Sequence, residues 1–450
     1  MLINRFKTVV ILAAAFFTML ATSGTRAQTQ VPPITKTVIN YLDQATGQTA
    51  DDIVTYALAH NDELEALRRE VEASEALVRQ ARLRANPSLE IGGAKNPVTP
   101  SKSLMVKGSL PLELFGRRPA RVKVAEEELA VRRQVLADRE RMLAAEVRAK
   151  FGETLALALK LQFADETVTA ATENYNLVVS RVGEGRTAPL EQNMVLVELN
   201  RIRAIRETSE GKVEISMLEL RNMIGMRPEE PLRLRGDFMN LLDPLAPQEI
   251  AVDQALGQRP DLQMSRAIED LSQARIDQAR SQGKLDASVN AGYQRMRQGF
   301  PQSGFNDLGQ VVPIGEIANV FTVGVMLELP LFNRNQGTIE AAVLEKTAAQ
   351  NRTAFGELTV RREVAVAYTR YKSAARAMEI YRIGVEKQAE TNLEVVRQTY
   401  ELGARTLLDF IAEQRRYIEI KDGFIDTQLD TYLARVEILR ATNAPELKKK

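Results

Sequence analysis

The sequence predicts a mainly helical chain with a small transmembrane β part, arranged as two tandem repeats of helix, two strands and long helical hairpin. Three observations predict it. Residues 119–182 and 338–402 read as uninterrupted helices, free of proline after Pro119, and each runs into a glycine-bearing turn. At 1.5 Å rise per residue, a helix of about 65 residues is about 98 Å long, too long to be buried in one globular domain. Four shorter segments alternate apolar and polar residues with period two, the signature of strands. Finally, the halves match residue against residue. Asp261-Leu262 answers Glu63-Leu64, Gln278-Ala279 answers Gln80-Ala81, and Val289 answers Ile91. Leu327, Leu329, Leu331 and Phe332 answer Leu110, Leu112, Leu114 and Phe115, while Gly403 and Asp409 answer Gly185 and Glu191. A repeat of about 200 residues is the strongest organisational signal in the chain.

Arg5 and Lys7 precede an apolar run ending at Ala21, and Thr25-Arg26-Ala27 follows as a small-x-small cleavage pattern. Residues 1–27 therefore read as a signal peptide, because the apolar run is about 13 residues against roughly 20 for a spanning helix. No cysteine follows to carry a lipid. Residues 28–48, with Pro32-Pro33, read as an extended lead-in. Thr49 caps a helix predicted to run to about residue 84, with Asp51 and Asp52 at its positive end, and Asn86-Pro87 stops it. Strands follow at 88–94 and 103–114. The first long helix and a return helix over 190–224 flank a tip at 183–189, so the first repeat spans 49–228. A Pro-rich linker, 229–248, separates it from the second repeat, 249–443. There the strands are predicted at 286–295 and 319–331 and the tip at 403–407. The connection 295–319, rich in Gly, Pro, Ser, Asn and Asp, reads as a flexible exposed loop. Residues 444–450 read as a basic tail.

Composition limits the chemistry. Lysine and arginine number 60 against 59 acids, a formal charge of +1, so no global field points to nucleic acid. There is no cysteine and one histidine, His60, read as a passive residue near the start of a helix. Most zinc, copper and thiol chemistry is removed with them. No nucleophile or phosphate-binding motif stands out, so neither an enzyme, a cofactor nor a bound metal is expected.

Strands of about 9 to 11 residues with one apolar face match outer-membrane strands in length and alternation, although a sheet packed on its own helices has the same periodicity. Four strands cannot close a barrel, and an open edge cannot sit in lipid, so several chains must share one. Two chains would give eight strands and an interior filled by side chains; three would give twelve and a lumen. The polar residues Lys107, Ser109, Asn290, Gln294 and Glu328 suit a water-filled lumen, which favours a trimer and leaves a tetramer open. On the long helix, Val364, Tyr368, Tyr371, Ala375, Met378, Val385, Ala389, Leu393, Val396 and Tyr400 recur at coiled-coil spacing, with a charged gap at Arg382.

With Leu110-Pro-Leu-Glu-Leu-Phe-Gly-Arg-Arg118 after the first strand pair and Leu329-Pro-Leu-Phe-Asn-Arg-Asn-Gln-Gly337 after the second, the repeat resembles the TolC-like outer-membrane efflux proteins. The second motif is particularly similar to the branch serving heavy-metal cation pumps of the resistance-nodulation-division type. The resemblance implies a homotrimer in the outer membrane of a Gram-negative-type cell, with a twelve-stranded β-barrel in the lipid and a twelve-helix tunnel extending into the periplasm. It implies a periplasmic adaptor (membrane fusion) protein and an inner-membrane resistance-nodulation-division pump as partners. The lead-in and linker would form an equatorial belt.

The family's small tip residues, where the adaptor docks, correspond to Gly183, Gly185, Arg186 and Thr187, and to Gly403, Arg405 and Thr406. Its periplasmic gate corresponds to Asp409 with Arg405, and Glu191 is the first-half equivalent. A further acid in some relatives falls at Ala412 here, beside Glu413. Drug, organic-compound or type I protein export through the same tunnel is the alternative cargo. A soluble periplasmic coiled-coil scaffold is the alternative from another class.

Overall fold

The computed structural model describes residues 40–98, 101–241 and 246–448. The expected signal peptide and most of the lead-in lie outside the described residues. Thr49 opens α1 (Ala50–His60) with a capping box: its hydroxyl accepts from Asp52 N, and the Asp52 carboxylate accepts from Thr49 N. The helix predicted to run unbroken to residue 84 is instead two, α1 and α2 (Asp62–Ala81). Asn61 makes the break. Its backbone is extended, its Oδ1 accepts from Leu64 N at 3.1 Å, and its amide donates to Met223 O at 3.0 Å. A short polar side chain that offers the backbone an alternative partner favours a cap over a helix interior. His60 accordingly sits between two helices, the last residue of α1 and two residues before the first of α2, stacked on Tyr56 at 4.1 Å.

β1 (Ser88–Lys95), β2 (Lys102–Pro111), β3 (Asp286–Phe305) and β4 (Val311–Glu328) form one antiparallel sheet in that order. The stretch 295–319, expected as a loop, is mostly strand. β3 and β4 pair from Asp286↔Glu328 out to Phe305↔Val311, leaving a turn at 306–310. Ladder pairing overrides weak local propensity here, and a register shift between Gly299 and Ser303 absorbs the irregular sequence. The register aligns side chains across all four strands. Ile91, Val106, Tyr293 and Phe321 form one row on one face, while Glu90, Lys107, Gly292 and Thr322 form a row on the other. The first face also carries Leu89, Leu110, Val289, Val323, Val325 and Leu327, and Val323 is 83% exposed. Among the described residues no helix packs along either face of the sheet.

α3 (Arg117–Gly183) is one helix of 67 residues, about 100 Å at 1.5 Å rise. It returns through α4 (Pro189–Ile224). α5 (Gln248–Gln258) and α6 (Pro260–Gln282) break at Arg259, where Pro260 occupies the first turn of α6. The second long helix is not continuous. α7 (Gln336–Ile380) passes through a π-helical turn at Tyr381–Val385 into α8 (Glu386–Glu401), and the turn coincides with the charged gap at Arg382. α9 (Leu407–Thr442) is the return helix.

The main core lies at mid-length of the helices, where α1, the middle of α3, and the ends of α4 and α9 bury Phe151, Leu155, Met217, Phe238 and Tyr432. The linker contributes to it through Leu232, Leu234 and Phe238. Leu234 is fully buried, its carbonyl accepts from Asp43 N at 3.0 Å and its N–H donates to Tyr41 O at 2.8 Å, joining linker to lead-in. The described part of the basic tail is also anchored: Leu447 is fully buried, and buried Arg148 donates to Leu447 O at 2.9 Å and Glu446 O at 2.7 Å. An apolar side chain and a set of satisfied carbonyls outweigh the local charge of the lysines.

Candidate functional site: the hairpin tips

Both tips use the same backbone device. After α3, Gly185 adopts φ +72°, its N–H donates to Val182 O at 3.0 Å, and Arg186 N donates to Arg181 O at 2.9 Å. After α8, Gly403 adopts φ +79°, its N–H donates to Tyr400 O at 2.9 Å, and Ala404 N donates to Thr399 O at 2.8 Å. These bonds satisfy carbonyls that a helix end leaves open, and the left-handed backbone costs glycine little. Nothing crowds either glycine, so conformation rather than space calls for it. Gly183 is the last residue of α3. Arg186 is exposed and pairs with Glu184 at 3.3 Å, while Thr187 is half-buried.

The restarts differ. Thr406 caps α9 in a second capping box, its hydroxyl accepting from Asp409 N at 3.2 Å. The Asp409 carboxylate accepts from Thr406 N at 3.1 Å and from its hydroxyl at 2.9 Å. The Thr406 N–H and hydroxyl, with the Arg405 charge nearby, hold Asp409 below the usual carboxylate range. Ala188 has no side chain to cap α4, and Pro189 at the first helical position removes one donor that would need a cap. Glu191, three residues past the Ala188 cap just as Asp409 is past Thr406, accepts from the Tyr400 hydroxyl at 3.4 Å. Asp409 remains exposed. Among the described residues no hydrogen bond or ion pair joins Asp409 to Arg405 or to Glu191.

One chain therefore brings Glu191 to the second hairpin, through Tyr400, and sets the Arg405 charge near Asp409 without a hydrogen bond or ion pair between them among the described residues. What joins the hairpins is apolar packing of Val178 and Val195 with Leu407, Phe410 and Ile411, and a stacked Tyr400–Phe410 pair at 5.8 Å. A deeper polar tie, absent from the sequence reading, is Glu198. Its buried carboxylate accepts from Arg201 one turn along α4 (2.6 Å) and from Arg415 on α9 (2.6 Å). Burial pushes this carboxyl up, but the hydrogen bonds from Arg415 and Arg201 outweigh burial and hold it low. Beside the tie, a groove of about 650 Å³ opens between the starts of α4 and α9, lined by Leu190, Val197, Leu408, Ala412, Glu198 and Arg415. Among the described residues no group of three or more His, Asp or Glu side chains is placed to hold a metal ion, and no helix is long and apolar enough to cross a membrane.

Comparison with known proteins agrees with this architecture. The family described as "Outer membrane efflux protein" matches residues 53–226 and 251–444. The chain is 22% identical over 394 residues to the cobalt-zinc-cadmium resistance protein CzcC of Cupriavidus metallidurans, covering 87% of this chain and 89% of that one. It is 24% identical over 246 residues to the nickel-cobalt-cadmium resistance protein NccC of Alcaligenes xylosoxydans xylosoxydans, covering 54% of this chain and 50% of that one. The fold is similar to that of CusC, whose crystal structures concern transmembrane channel formation, with a TM-score of 0.73 at 17% identity over 88% of this chain and 92% of that one. The two family matches divide at the 229–248 linker and together span nearly all of the described residues, so the chain belongs to the outer membrane efflux protein family.

Proposed function

We propose that the chain is the outer-membrane channel of a tripartite efflux system, a passive conduit formed by three copies. The observation that carries this reading is the sheet, with an uncovered apolar face, a polar opposite face and unpaired edges on β1 and β4. Unpaired edges are untenable in lipid, and joining β4 of one copy to β1 of the next in a ring of three removes them all. Twelve strands also leave a lumen for the polar face, whereas eight would be nearly filled. The helices then continue the barrel as a twelve-helix tunnel through the periplasm.

The tips at 183–189 and 403–407, exposed except at Thr187 and Leu407, with the apolar groove beside them, support docking of a periplasmic adaptor that links the channel to an inner-membrane resistance-nodulation-division pump. Three copies would bring Asp409, Arg405 and Glu191 around one axis, where a ring of carboxylates favours cations over anions. Heavy-metal cations are the proposed cargo, supported by the metal resistance named for both curated relatives.

Expression in a Gram-negative host, fractionation and mass measurement in detergent test the assembly. An outer-membrane trimer is expected, and a soluble monomer or dimer would overturn the reading. The gate is tested separately by single-channel recording of Asp409→Ala/Glu191→Ala, for which reduced cation selectivity is expected; an unchanged channel would remove these residues from the gate.

A further inference from the structure

We infer that the outer end of the apolar sheet face carries a site for the phosphates of a glycolipid headgroup in the outer leaflet, built by Lys95, Lys102, Arg295 and Arg297. The inference rests on the barrel reading proposed above. The register places Lys95 opposite Lys102 and Lys102 opposite Arg297, so the three form a row across adjacent strands. Neighbouring strands lie about 4.8 Å apart, and Arg295, two residues nearer the helices, is about 7 Å along β3 from Arg297. All four side chains are exposed, and none makes an ion pair among the described residues.

Their face is what makes them informative. Arg295 and Arg297 share the parity of Tyr293, and Lys102 that of Val106, so the cations stand on the apolar face just beyond the Tyr293–Phe321 row. Tyr293 and Phe321 pack at 5.0 Å, and the Tyr293 hydroxyl donates to Asn319 Oδ1 at 2.8 Å. Aromatic side chains with a polar tip concentrate where the hydrocarbon core gives way to headgroups. The sheet's carboxylates near this level, Glu90 and Glu316, alternate onto the opposite face. A merely solvated rim would mix signs. Protection of a free sheet edge by lysine accounts for Lys95 on β1, but not for two arginines on the interior strand β3.

Four uncompensated cations repel one another unless an anion sits among them. Arginine meets phosphate with a planar fork of donors and lysine meets it as a point charge, a combination suited to two phosphates on one lipid. In a barrel this face looks outward to lipid, so the site serves the membrane and not the cargo.

The test titrates the full-length protein, extracted from the outer membrane in detergent, with bis-phosphorylated lipid A and with the same lipid stripped of phosphate. Bound lipid is counted by native mass spectrometry. The wild-type protein is expected to prefer the phosphorylated lipid at least 10-fold. K95Q/K102Q/R295Q/R297Q is expected to lose that preference, while K95R/K102R/R295K/R297K keeps it. Equal binding of both lipids by the wild type, an unchanged preference in the glutamine variant, or full displacement by equimolar inorganic phosphate would overturn the site. Oligomer mass and membrane fraction, measured on the same preparations, register failure of the barrel reading as a separate result.

Discussion

Glu198→Gln removes the charge that ties the two hairpins near their tips while keeping the side chain's shape. Hydrogen bonds to charged groups contribute about 1.5 to 3 kcal/mol each when lost from a buried site. The Arg201 and Arg415 side chains are 39% and 50% exposed, so both return to water when the carboxylate is neutralised. That recovery lowers the expected cost to about 1–2 kcal/mol. Hydrogen exchange at 190–200 and 407–415 should report it as easier local opening, and a double-mutant cycle with Arg415→Gln should give a coupling of about 1 kcal/mol. Because the native carboxyl is held low, its contribution is complete above the ordinary glutamate value of about 4.3 and is lost as pH falls through the depressed one. Acidification should therefore reproduce the Gln phenotype in the wild type and change the variant less. A coupling energy near zero, or equal acid sensitivity in both proteins, would refute the tie.

Gly403→Ala should destabilise the second tip by about 1 kcal/mol, since only backbone strain is added, and hydrogen exchange of the following helix should show it. Gly152→Ala should lower the thermal midpoint by overpacking worth about 1–3 kcal/mol, because its Cβ would lie 2.5 Å from the Tyr432 ring; an unchanged midpoint would show that the ring moves freely. Thr406→Ala removes the cap of α9 at a cost of about 1 kcal/mol, read from the same exchange experiment. The Asp409 half of that capping box should persist below the usual aspartate range and fail only as pH drops through its lowered value, which NMR titration of its carboxyl would follow.

The long helices were legible because nothing in 119–182 or 338–402 contradicts helix, and the tips because glycine followed by Pro189 in one and by the capping Thr406 in the other has a local meaning. The faces of the strands were legible too, since alternation fixes which side chains share a side. Extent was not. Residues 295–319 carry turn-forming composition, and only pairing with a partner strand makes them β. The break at Asn61 depends on Met223, and the burial of the 229–248 linker on the lead-in, contacts that no window of sequence contains. Glu198 reads as an ordinary i to i+3 partner of Arg201. Its role comes from Arg415, 217 positions away.

Among the described residues the ladder of β2 with β3 ends at Arg297, followed by a bond from Gly299 N to Ser101 Oγ at 3.0 Å, and the outer part of β3 and β4 continues as a two-stranded ribbon closed by the turn at 306–310. Such a ribbon is marginally stable by itself. The exposed turn is accordingly the place on the sheet where an inserted epitope tag or fluorophore should be tolerated best. Sequence drift should also concentrate there, since the turn and the ribbon beside it have fewer strand neighbours than the rows beneath.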